Sequence, residues 1–219
     1  MRLAQGRIEI ELHELRRGEG TPLLLLHGLY GSAADWGEGL AAWNGAVYAL
    51  DFAGHGRSQW IKGGAYTPEI LGCDVDAALR HIGRGALVGV GAGAYVALLV
   101  AGGRTAQVPA ALLLPGAGLA GGGPEPDFER TPSSVIDLVG KRDGCDPLVG
   151  ALDDDVRPPY YVEPFAKRAR QLVLLEDGSR RPPWWQAMRG AGRANIVSDI
   201  DDGLAQLATF CALPSGPNR

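Results

Sequence analysis

Leu87-Val88-Gly89-Val90-Gly91-Ala92-Gly93-Ala94-Tyr95-Val96-Ala97-Leu98 is the stretch that decides the fold. Residues 86–88 form a short apolar run, as in a strand buried on both faces. The chain then crosses three glycines in five residues and enters an Ala/Leu-rich segment, 92–102, that reads as a helix. A buried strand, a sharp turn on small residues and a helix form the repeating unit of a parallel sheet with crossover helices. The middle residue of the turn is Gly91, which has no side chain to present.

Working outward, residues 7–15 alternate strictly. Ile8, Ile10 and Leu12 share one face, and Glu9, Glu11 and His13 share the other. This predicts a half-exposed edge strand. Residues 17–20 (Arg-Gly-Glu-Gly) predict a turn. The apolar runs 23–26, 46–50, 110–114, 148–152 and 171–175 predict buried strands. Thr67-Pro68-Glu69 predicts a helix start, with a capping hydroxyl and proline in the first turn. Leu71, Val75, Ala78 and Ile82 then follow at helical spacing. Residues 160–170 and 201–212 also read as helices. Residues 132–142 predict a short helix, because Val135, Leu138 and Val139 repeat at that spacing. The order predicts one α/β domain over 1–219, with a mostly parallel central sheet flanked by helices on both faces.

Composition excludes several classes. A net charge of -4 and a pI near 5.6 argue against a nucleic-acid surface. Cys73, Cys145 and Cys211 are an odd count at scattered spacing, neither a disulfide framework nor a zinc pattern. No metal or cofactor is expected, and the expected location is the cytoplasm. The first residues alternate charged and apolar types, so neither a signal peptide nor a membrane span is expected.

Three motifs occur in order. Leu25-Leu26-His27-Gly28-Leu29 ends a strand in His-Gly. Asp51-Phe52-Ala53-Gly54-His55-Gly56-Arg57-Ser58 is a D-x-x-G-H-G-x-S loop. Gly89 to Gly93 has the frame of a G-x-S-x-G nucleophile elbow with glycine at its centre. Together they resemble the α/β-hydrolase superfamily over nearly the whole chain. The resemblance implies an oxyanion corner built from His27, Gly28, Leu29, Tyr30 and Ala92, with the backbone N–H groups of Leu29 and Ala92 as its donors. It places the nucleophile at Gly91 and the catalytic acid at Asp154, with Asp143 as the alternative. It places the histidine at Arg180. Substrate-selecting caps of the family are inserted after the strand at 110–114. Residues 116–146 here allow at most a reduced cap or loop.

All four histidines, His13, His27, His55 and His81, precede that last position. A Ser-His-Asp mechanism needs a hydroxyl, a base and an orienting acid, and two of the three positions lack the required side chain. Glycine also relieves the strain of an elbow at positive φ. Rebuilding the machinery would require Gly91→Ser together with Arg180→His. The wording of the elbow is locally similar to that of the N-myc downstream-regulated proteins, a precedent for an inert elbow on this fold.

The sequence therefore implies a degenerate, non-hydrolytic member that binds a small ligand or a protein partner. One alternative is a non-hydrolytic enzyme of lyase, cyclase or epimerase type that uses His27 or Asp154. Another is an esterase-like hydrolase with its nucleophile relocated to Ser32 or Ser179. Tyr30, Trp184 and Trp185 are candidates for lining or covering the pocket. His27 and His55 are expected to orient loops. Arg180 could grip a carboxylate or phosphate. Cys73 and Cys145 have no histidine nearby in the sequence and are weak nucleophile candidates.

Overall fold

A computed structural model describes residues 1–37, 43–63, 65–119, 144–153, 157–176, 178, 181–191 and 194–212. The strands are β1 (Arg2–Gln5), β2 (Ile8–Leu26), β3 (Gly45–Asp51), β4 (Ala86–Val90), β5 (Ala111–Leu114), β6 (Leu172–Leu175) and β7 (Ala194–Val197). The helices are α1 (Pro68–Ile82), α2 (Ala92–Gly103), α3 (Glu163–Arg168), α4 (Pro183–Ala191) and α5 (Ile200–Ala212).

β2 is a long, irregular strand that embraces β3. Along its first arm the partner numbers run in opposite senses, Glu11 opposite Asp51 and Leu12 opposite Leu50. Along its second arm they rise together, from Leu23 with Val47 to Leu26 with Leu50. The second arm therefore runs in the parallel sense on the other side of β3. It then pairs with β4, and β4, β5, β6 and β7 follow in parallel.

This arrangement corrects two expectations. The first part of the expected edge strand, Ile8–Glu11, is not an edge, because β1 pairs with it antiparallel and covers Glu11, which is only 7% exposed. Residues 17–20 are extended backbone with register shifts rather than a turn. They carry the chain across the end of β3.

The central strands are buried on both faces, as their continuous apolar runs require. Leu24, Leu26 and Leu87 point into one core with Tyr95, Trp184 and Trp185. Leu23, Leu25 and Val88 point into the other with Leu204 and Leu207 of α5. α2 is buried from Ala92 through Gly102. A helix that is apolar all round belongs in a protein centre.

The run 148–152 is not a strand. Pro147–Leu152 is a 3-10 helix. Asp146 accepts a hydrogen bond from Leu148 N–H, and proline in the first turn fixes a helical φ. Val149 and Leu152, three apart, are buried, whereas Leu148 is exposed. Apolar content suggested a strand there, and the Asp-Pro start decided otherwise. The strands β1 and β7 were not expected from the sequence. The expected helix over 132–142 lies outside the described residues, as does most of the expected reduced cap at 116–146.

Thr67 caps α1 as its position suggests, accepting from Ile70 N–H. Thr67→Ala should lower unfolding free energy by about 1 kcal/mol in urea titrations, and Thr67→Ser should retain most of it.

Candidate functional site

Gly91 follows β4 and caps the start of α2 with φ 54° and ψ -116°. Its N–H donates to Leu114 O at 3.1 Å, and its carbonyl accepts from Tyr95 N–H. The strand-to-helix bend is thus fixed at both ends by backbone bonds.

Two amides converge above this bend. Leu29 N–H and Ala92 N–H, at 3.1 and 2.9 Å, both donate to one oxygen, the carbonyl of Ala117. Two backbone donors focused on a single oxygen have the geometry that stabilises an oxyanion. Here the chain supplies its own oxygen. A β-carbon built on Gly91 would overlap that same Ala117 O, with Gly116 C at 2.6 Å and Ala117 N at 2.7 Å. Glycine therefore answers close backbone approach as well as positive φ. The plugging segment is itself held in unusual conformations. Gly118 has φ 102°, Leu119 has φ 52°, and Leu119 N–H donates to Leu152 O at 2.6 Å.

A cavity of about 430 Å³ opens beside the plug. Its walls include His27, Leu29, Tyr30, Asp35, Trp36 and Val90, with Gly28, Gly31 and Ala117 at the backbone level. Tyr30 adopts φ 61°, a costly region for a non-glycine residue. Ser32 caps the short 3-10 turn Ala33–Asp35, and Asp35 Oδ2 accepts from Ser32 N–H at 2.8 Å. This reciprocal cap fixes Asp35 and Trp36 at the cavity. Asp35 and Trp36 were not foreseen as site residues, although the Ser32-to-Asp35 spacing is a readable capping signal.

His27 is 2% exposed, and both its ring nitrogens are engaged by backbone. Phe52 N–H donates to Nε2 at 3.1 Å, so Nδ1 carries the proton and donates to Gly28 O at 2.8 Å. Burial pushes its pKa down to about 4. The ring is a neutral spacer with no free lone pair for proton abstraction. It lies against His55, with ring centroids 4.9 Å apart and planes tilted by 54°. His55 Nδ1 bonds to Ala53 O, while its buried Nε2 has no hydrogen-bond partner. Burial, then the neighbouring His27, lowers His55 to about 3.

Asp51 organises the loop beneath the site. Its carboxylate accepts from Ala33 N–H at 2.7 Å and Arg57 N–H at 2.9 Å, and pairs with His13 Nε2 at 2.9 Å. Burial alone would raise its pKa, but these donors outweigh burial and hold it below the usual carboxylate range. The D-x-x-G-H-G-x-S sequence is thus a device for docking the turn at 33–35 against the loop at 51–58.

The structure gathers His27, Gly28, Leu29 and Tyr30 at the cavity and sets Ala92 on the plug. It does not bring the aromatic pair there. Trp184 and Trp185 are core residues, 4% and 1% exposed, with Trp184 edge-on to Tyr95 at 5.1 Å. This corrects the expectation that they line or cover the pocket; α4 presents its apolar face to the core. The Ser32 hydroxyl accepts from Ala34 N–H as a cap. Cys73 is exposed on α1, and Cys145 is buried. Asp154, Asp143, Arg180 and Ser179 lie outside the described residues. No group of three or more metal-ligating side chains occurs among the described residues. No helix among them is long and apolar enough to cross a membrane.

Solved structures with the same architecture are numerous. An esterase, RhEst1, from Rhodococcus sp. ECU1013 superposes with a TM-score of 0.69 at 18% identity, covering 96% of this chain and 97% of that one. An alpha/beta hydrolase from Novosphingobium aromaticivorans DSM 12444 gives 0.68 at 16% identity, with 96% and 97% covered. The bottromycin epimerase BotH, solved with bottromycin A2, gives 0.58 at 21% identity, with 96% of each chain covered. At these identities the likeness is one of fold. No curated protein matches the chain. The model of the alpha/beta hydrolase family matches residues 23–214. That span runs from the second arm of β2 past the end of α5, and with the sheet order and the elbow it shows that the chain belongs to the alpha/beta hydrolase family.

Proposed function

We propose that this chain is a non-hydrolytic member of its family that binds a small ligand at the cavity beside Gly91. The observation that carries this reading is the Ala117 carbonyl, which accepts from both Leu29 N–H and Ala92 N–H. A substrate carbonyl entering that corner would have to displace a bonded backbone oxygen. It would then meet no side chain at residue 91. Transition-state stabilisation by preorganised donors requires that they be free to receive the developing charge.

The test is covalent labelling and turnover. Incubated with a fluorophosphonate probe and a panel of p-nitrophenyl esters, the protein should show no mass increase and no hydrolysis above buffer. A stoichiometric adduct on any serine would overturn the proposal, and its position would identify the relocated nucleophile.

A second reading, a non-hydrolytic enzyme of lyase, cyclase or epimerase type, draws support from BotH, an epimerase of the same architecture. His27 is a poor base for it, since both ring nitrogens are bonded to backbone. Turnover in a metabolite library that survived His27→Ala would favour this reading with a different proton carrier.

A further inference from the structure

We infer that the cavity selects a small organic cation, an ammonium group on an apolar body, over neutral or anionic ligands. The inference rests on the binding reading above and specifies its ligand class. Its volume of about 430 Å³ falls in the range of small-molecule sites.

Charge decides the class. Among the described residues that line the cavity, Asp35 carries the one formal charge, and none is Lys or Arg. His27 is held neutral by burial. Asp35 Oδ2 is used by Ser32 N–H, which fixes the carboxylate and leaves Oδ1 for a ligand. Tyr30 and Trp36 supply aromatic surface beside it, and Leu29 and Val90 supply aliphatic wall. A carboxylate next to aromatic rings is the combination that attracts ammonium groups.

The donors that would welcome an anion are spent. In an open oxyanion corner, Leu29 N–H and Ala92 N–H would offer two hydrogen bonds to a carboxylate or carbonyl. Here both end on Ala117 O. Filling the corner thus reverses its preference, from developing negative charge to positive charge.

The experiment is isothermal titration of the full chain with three probes of similar size: benzyltrimethylammonium, benzyl alcohol and benzoate. The cation should bind about tenfold tighter than the alcohol, with benzoate weakest. Its affinity should fall as sodium chloride is raised. Asp35→Asn retains an oxygen to cap Ser32 N–H, so it should leave the melting temperature unchanged while weakening the cation about tenfold. Benzoate binding as tightly as the cation would overturn the inference. So would an unchanged cation affinity in Asp35→Asn, or no binding by any probe. Such a result with the phosphonate assay still silent removes the ligand class alone, whereas a phosphonate adduct removes the non-hydrolytic reading itself.

Discussion

Gly91→Ser should yield a protein that is destabilised and still hydrolyses no ester. Two effects add. Serine must adopt φ near 54°, at a cost on the order of 1–3 kcal/mol. Its β-carbon must also overlap Ala117 O and crowd Gly116 C at 2.6 Å. Forcing atoms into a filled space costs roughly 1–3 kcal/mol more. The expected loss is about 2–6 kcal/mol, read from urea midpoints at constant m-value. Restoring the imidazole does not change this outcome. Gly91→Ser with Arg180→His should also be silent toward p-nitrophenyl acetate, because the obstruction is backbone from 116–117. The sequence implies a missing hydroxyl and a missing imidazole, and in the structure the amides of Leu29 and Ala92 both end on Ala117 O. A single Gly91→Ser variant of wild-type stability would show that the 116–118 segment yields easily and that the corner is available to substrates. Gly91→Ala is the control: it introduces the same β-carbon without a hydroxyl, so it should be destabilised to a similar degree.

The legible part of this molecule is what side chains encode by repetition. The apolar runs at 23–26, 46–50 and 86–88 give buried strands because only a sheet covered on both faces tolerates them. The Thr67-Pro68 start gives α1 because its donors and φ are set locally. The His27-Gly28 and Gly89-to-Gly93 motifs fall at the cavity and at the strand-to-helix bend beside it, and the Asp51-to-Ser58 motif falls on the loop that Asp51 organises. What escaped the reading is backbone-made or context-made. β2 crossing β3 between Arg16 and Leu23 has no side-chain signature, and neither has β1, whose pairing covers the start of an apparent edge strand. Residues 148–152 are apolar enough for a strand, yet Asp146 and Pro147 begin a 3-10 turn. The plug is the clearest case. A carbonyl oxygen is present at every residue, so nothing in the letters singles out Ala117. Its one trace is the glycine density at 116 and 118, which permits close approach. Trp184 and Trp185 are core rather than pocket residues because they lie on a helix with its apolar face turned inward.

Acidification from pH 7 to pH 4 should destabilise the fold by roughly 2–4 kcal/mol, and Asp74→Asn should make the decline steeper. His27 and His55 titrate near 6.5 in the unfolded chain but near 4 and 3 in the buried site. As pH falls below 6.5 the unfolded chain takes up protons first, so the stability present above 6.5 is lost until the folded values are reached. Asp74 opposes them. It is fully buried, with one oxygen bonded to Ala53 N–H at 2.8 Å and the other without a partner, and burial raises its pKa from 3.8 to about 7. The folded state therefore binds this proton first, and stability is gained as pH falls from about 7 to 3.8. Each tenfold difference in proton affinity is worth about 1.4 kcal/mol. Two imidazoles displaced downward outweigh one carboxyl displaced upward, which sets the net sign. Below pH 4 the depressed Asp51 adds to the loss, since its protonation gives up the amides of Ala33 and Arg57. Asn at 74 keeps an oxygen for Ala53 N–H and removes the opposing term. That variant should gain stability relative to the parent at pH 8 and give the advantage back by pH 5. His55→Gln should flatten the acid limb instead. Urea titrations across this range separate the contributions. Parallel pH profiles for the parent and both variants would mean that neither buried group carries the linkage assigned to it here.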